Sequence, residues 1–197
     1  DSHLQQYSPR VVALLERDPT RYPSVLFLTS PGCSPIPGSA QVNVYHVERC
    51  TTFRQEVERL AVDPAIDRVV VGGAWNLYFL GSNPQYGGDI DLESEIGRIA
   101  AFLKTLARDK KVFFVLDNPS GRPFEPRNFF TGSRLTSLTV KPFQERIPWD
   151  RGQAALHARL AAAATAAGAV LIDPAAHLCP ENRCRAFTPD AKPVYKD

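Results

Sequence analysis

The chain has 197 residues, with 23 basic and 21 acidic side chains and a formal charge of +2. That length suits one domain with a single core, residues 1–197, and the balanced, scattered charge argues against a nucleic-acid partner. No apolar run reaches the roughly 20 residues of a membrane helix, and the first segment lacks the form of a signal peptide.

Asp1-Ser2-His3 precedes a helical pattern with Ser8 as expected N-cap, Pro9 as first helical residue and Val11, Leu14 and Leu15 at helical spacing. "SVLFLTS" (24–30) reads as a buried strand followed by the loop "PGCSPIPG". "TTFRQEVERLAV" reads as a helix capped by Thr51 or Thr52, and "RVVVGGAW" (68–75) as the next strand. Then come the helix "DLESEIGRIAAFLKTLARDK", with Ile96, Ile99, Phe102, Leu103 and Leu106 on one side, and the strand "KVFFVLDNP" (111–119). The Ala-rich helix "DRGQAALHARLAAAATAAG", ended by Gly168, leads to the last strand, "AVLIDP" (169–174).

Each strand run is continuously apolar instead of alternating, as in parallel sheets covered on both faces. Alternation with helices predicts a three-layer α/β/α domain around a parallel sheet, with function in the loops beyond the strands' carboxyl ends. The first helix has no strand before it. One is expected to end immediately upstream of Asp1, with the chain cut at its start, and this puts Ser2 at a strand-to-helix turn on the functional edge.

Cys33 and Cys50 flank a Pro/Gly-rich loop, and Cys179 and Cys184 enclose only "PENR". The spacing favours two local bridges over free thiols, and zinc least, because neither pair is C-x-x-C and no His stands at ligand spacing. Bridges point to an oxidising compartment.

A serine nucleophile needs a base, a group that orients the base, and donors for the oxyanion. Ser2 has the position, with its own N–H as an oxyanion donor; alone, the tripeptide reads as a helix cap. His3 adjoins Ser2 and points elsewhere on most backbones, His46 sits in the cysteine-bounded loop, His157 lies mid-helix and His177 is nearer the functional edge; each reads as a surface or core residue before a base. On the same edge, Gly73 offers close backbone approach, Asn76 a neutral donor and Trp75 a face for a carbohydrate or acyl group, with a tight turn around a packed Trp as the alternative. The loop carrying Asp117, Asn118, Arg122, Arg127 and Asn128 reads as a solvated connection or as part of the site.

"DSH" before the first helix resembles the Gly-Asp-Ser block of the SGNH (GDSL) hydrolases. With "LTSPGCSPIPG", "VVVGGAWNLY", "LIDP", "LCPENRC" and "PVYKD", the whole chain is similar to the SGNH domain fused to acyltransferase-3 membrane proteins, which O-acetylate cell-surface glycans. The resemblance implies a flavodoxin-like sheet, no cofactor or metal, a glycan acceptor and an acyl donor as partners, and a periplasmic or extracellular location beside an acyltransferase-3 membrane domain. It implies Ser2 as nucleophile and Asp197 as the orienting acid of an Asp-x-x-His block whose His follows three residues later. Gly32 or Gly38 would serve the first oxyanion block. Gly73 and Asn76 are spaced one residue too far for the second, so backbone N–H groups do most of that work, with Gly73, Trp75, Asn76 and Gly32 the oxyanion or substrate-binding candidates. A carbohydrate esterase and a catalytically silent glycan-binding domain are the alternative functions.

Overall fold

The computed structural model describes residues 2–21, 24–40, 43, 45–80, 90–132, 135–137, 139–141, 144–188, 190, 192 and 194, with the side chains of Ser2, Pro126 and Val140 outside the description. A 3₁₀ segment, Ser2–Tyr7, runs directly into α1 (Ser8–Arg17), followed by α2 (Val47–Ala61), β1 (Arg68–Gly72), α3 (Trp75–Phe79), α4 (Leu92–Leu106) and β2 (Lys111–Val115). Two short strands, β3 (Phe130–Thr131) and β4 (Thr139–Val140), pair with each other. Then come β5 (Arg146–Pro148), α5 (Arg151–Ala166), β6 (Val170–Ile172), α6 (Ala175–Leu178) and β7 (Arg183–Arg185), which pairs antiparallel with β5. None of these helices is long and apolar enough to cross a membrane.

The main sheet is parallel, in the order β1-β2-β6, with Val70 opposite Phe113 and Phe113 opposite Val170. Val71, Val112 and Phe114 bury one face of it against Ile99, Leu103 and Leu106 of α4 and Leu156, Leu160 and Ala164 of α5. A parallel sheet under amphipathic helices is the expected α/β class. Both covering helices start at an aspartate that accepts a first-turn N–H: Asp91 from Glu93 (3.1 Å) and Asp150 from Gln153 (3.0 Å).

Four local readings change. Residues 24–30 form no strand: Val25 and Leu26 are exposed, and the run has no ladder partner among the described residues. Ser8 is not a cap, because the 3₁₀ segment leads straight into the helix and moves the first free N–H groups upstream. α2 begins at Val47 because the Cys50 N–H already donates to the His46 carbonyl (3.0 Å), and the Thr51 hydroxyl is spent on the Val47 carbonyl (3.0 Å). The second sheet face is partly open instead of covered, with Val70 and Val170 each 48% exposed.

Both bridges form, Cys33–Cys50 and Cys179–Cys184. The first ties the 31–40 loop to α2, and its sulfurs pack with Phe53 in a small core of their own. Closing a loop of 17 residues stabilises by about 3 kcal/mol in the chain-entropy picture. The double variant Cys33→Ser/Cys50→Ser should therefore lose about 3 kcal/mol of unfolding free energy, read from a denaturant titration.

Candidate active site

β1, β2 and β6 end on one edge and deliver Gly73-Ala74, Leu116-Asp117 and Asp173-Pro174 to it. After β1 the chain turns at once into α3, whose aromatic residues sit at helical spacing. Trp75 is fully buried, stacked on Phe114 (5.1 Å between centroids) and Phe79 (6.2 Å), and its indole N–H donates to the Val115 carbonyl (2.9 Å). With both faces covered it presents none to a sugar or an acyl group. The expectation of a ligand-facing Trp75 gives way to the packed alternative. Gly73 is a glycine for the same reason: a Cβ there would lie 3.3 Å from both Trp75 Cη2 and Tyr78 Cε2. The close approach is made by the protein's own rings.

Asn76 follows on the polar side of α3. Its N–H donates to Asp117 Oδ2 (2.6 Å), and its side-chain amide faces the Asn118 carbonyl (3.4 Å), Ser120 Oγ (3.5 Å) and Gln153 Oε1 (3.5 Å). The Gln153 side chain in turn accepts from the Ser120 N–H and donates to its carbonyl. In this arrangement Asn76 joins the ends of β1 and β2 to the start of α5, with its side-chain amide turned toward these neighbours.

Asp117 also faces Tyr7 of the 3₁₀ segment. Burial, and then the Asp117 charge, push the Tyr7 phenol above the ordinary tyrosine value. The unfolded chain ionises first, so the Tyr7 contribution is fully present below about pH 10 and is lost as pH rises through the folded-state pKa. Tyr7→Phe should flatten this alkaline loss of stability. Asp117→Asn should move the Tyr7 ionisation part of the way down, measured by NMR titration of its ring carbon.

Ser2 opens the 3₁₀ segment two residues before Leu4, whose side chain lies against Gly72. Asp197 and the Ser2 side chain lie outside the described residues. Gly32 adopts a left-handed conformation (φ 70°) at the start of the 31–40 loop, a backbone that suits glycine. That loop is held from several sides. Arg49 donates to the Pro31 carbonyl (2.8 Å) and Arg54 to the Ser34 carbonyl (3.2 Å), and Ile36 is fully buried in the main core. Glu95 of α4, 1% exposed, accepts from Ser39 Oγ (2.6 Å), the Ala40 N–H (2.8 Å) and Arg98 (3.1 Å).

Glu95 was not singled out among the candidate residues, although it lies on the Ile99 and Leu103 stripe, where a carboxylate needs partners. Glu95→Ala strips three donors of their acceptor and should cost about 2–4 kcal/mol; Glu95→Gln, keeping one acceptor oxygen, should cost about half as much in thermal denaturation. The second omission is the Asp173 pair. Asp173 Oδ1 meets His157 Nε2 (2.9 Å) and caps α6 through the Ala175 N–H (2.9 Å), while the His157 ring packs on Trp149. His157 is on a packing face, with α5 tied to α6.

The family model for the SGNH domain (fused to AT3 domains) matches residues 1–197, and the chain belongs to that family. It is an acyltransferase-associated, SGNH hydrolase-like domain. Neither a search of curated proteins nor one of solved structures returns a match.

Proposed function

We propose that the chain is the catalytic domain of an extracytoplasmic serine O-acyltransferase, transferring acetyl groups to hydroxyls of cell-surface glycans through an acyl-serine on Ser2. The observation that carries the reading is the family match along the whole chain, and Asp1-Ser2-His3 resembles the family's nucleophile block. The two disulfides support an oxidising compartment, and the AT3 fusion of the family supports attachment to a membrane acyltransferase-3 domain.

In the proposed reaction, Ser2 Oγ attacks the carbonyl carbon of the acyl donor as the His three residues after Asp197 takes its proton. Asp197 holds that His in the required tautomer. The developing oxyanion is met by the backbone N–H groups of Ser2 and Gly73, with Gly32 and Asn76 as the further candidate donors. Collapse breaks the bond to the leaving group, which receives the proton from the His. A glycan hydroxyl then gives its proton to the same His and attacks the acyl-serine; the acyl–Oγ bond breaks, the His returns the proton to Ser2 Oγ, and the glycan ester leaves. Transfer prevails over hydrolysis where the bound glycan excludes water from the acyl-serine.

The test is fluorophosphonate treatment of the domain carrying the residues that follow Asp197, weighed intact beside its Ser2→Ala variant. A single adduct that disappears in the variant supports the reading. No adduct on the folded protein overturns it in favour of a glycan-binding domain.

A further inference from the structure

Arginines from two distant parts of the sequence meet on the β5–β7 ribbon. Its register sets Arg146 opposite Arg185 and Pro148 opposite Arg183, so all three arginines share one face, while Ile147 and Cys184 turn to the other. We propose that this face binds the carboxylates of an acidic acceptor glycan, an assignment that rests on the glycan acyltransferase reading and adds the charge of the acceptor.

No acid answers these charges. Among the described residues none of the three arginines pairs with a carboxylate, and Glu145 and Glu181, beside the ribbon in sequence, make no ion pair. Like charges directly opposite each other on paired strands are destabilising, and Arg146 and Arg185, both half-buried, hold that repulsion in the fold. A bound anion relieves it. Arg183 Nη2 donates to the Arg146 carbonyl (3.1 Å) and Arg146 Nη1 to the Arg183 carbonyl (3.5 Å), which lays both guanidiniums across the ribbon. Most of their N–H groups stay available, and an arginine fork takes a carboxylate by two parallel hydrogen bonds.

The other face of the ribbon belongs to the second core, where Ile147 and Cys184 pack with Phe124 and Phe129 of the segment after β2 and with Ala175 of α6. β2 and β6 end at the candidate site, so the arginine face is carried by the segments that leave that edge. A membrane surface fits this face less well. Lipid-binding clusters carry about four to eight basic residues, and no large apolar side chain stands exposed on the ribbon to insert. Arg183 and Arg185 are roughly 7 Å apart along β7, so one glycan strand can meet both.

The experiment uses the same protein as the fluorophosphonate test and measures, by calorimetry at low ionic strength, its binding of oligogalacturonate and of that oligomer with its carboxylates methyl-esterified. The acid should bind about tenfold or more tightly than the ester, and added salt should weaken it. Arg185→Gln should weaken acid binding by about threefold, and the triple variant Arg146→Gln/Arg183→Gln/Arg185→Gln by about tenfold or more. Arg185 donates no side-chain hydrogen bond to the described residues, so the single variant keeps the ribbon intact and its thermal midpoint should not fall. Equal binding of acid and ester, no binding of either, or acid binding unchanged in both variants would overturn the proposal. So would arginine-dependent binding to phosphatidylglycerol vesicles without binding of oligogalacturonate, which marks a membrane contact. Acid-selective binding without a fluorophosphonate adduct supports this face and removes the serine chemistry; an adduct with charge-blind binding does the reverse.

Discussion

Ser2→Ala should lower the rate of acyl release by about 10⁴-fold or more while moving the thermal midpoint by no more than about 1 °C. The kinetic loss is large because no covalent intermediate forms without the hydroxyl, and binding and oxyanion donors alone leave only a residual rate. The stability change is small because the 3₁₀ segment that Ser2 opens is exposed at His3, Gln5 and Gln6 and contributes no residue to the main core. The measurement is release of p-nitrophenol from its acetate ester, with circular dichroism melts on the same samples. An unchanged rate would remove Ser2 from the chemistry. A lost rate with a collapsed melt would show a fold defect instead.

Trp75→Ala should have the opposite profile: a loss of about 4 kcal/mol in unfolding free energy and a fall of about 8–16 °C in thermal midpoint. The indole fills the junction between α3 and β2, and its removal leaves a void beside Phe114 and takes the indole donor from the Val115 carbonyl. Trp75→Phe keeps the stacking and loses the hydrogen bond, for about 1–2 kcal/mol. If Trp75 instead presented a face to ligand, alanine would weaken glycan binding at nearly unchanged stability. Calorimetry of the two variants separates these outcomes.

Much of the fold is legible because its signals are local. Three apolar runs become β1, β2 and β6, and the close spacing of each cysteine pair gives its bridge. What failed depends on partners that no short stretch contains. The run 24–30 has the composition of a strand, yet a strand exists only by its ladder. Trp75 was assigned to the functional edge by its place after a strand, but Trp75, Tyr78 and Phe79 stand at i, i+3 and i+4, the spacing of a buried helical face. Position after a strand finds the edge of the sheet; periodicity decides which side chains at that edge turn inward. Asn76 shows the same division, its identity as a donor plain in the sequence and its acceptors, on two separate segments, invisible there. The nucleophile block was readable only through family resemblance, since one Ser in a tripeptide has no chemistry of its own.

The Asn76 and Gln153 contacts have a consequence for engineering the domain. Three segments that are far apart in sequence share one set of hydrogen bonds, so substitutions at positions 76, 118–120 and 153 will be epistatic: the effect of each depends on the residues at the others. Saturation of one position at a time would then report mostly losses and miss compatible combinations. A library that varies Asn76, Ser120 and Gln153 together searches the alternatives that this edge of the sheet can accept.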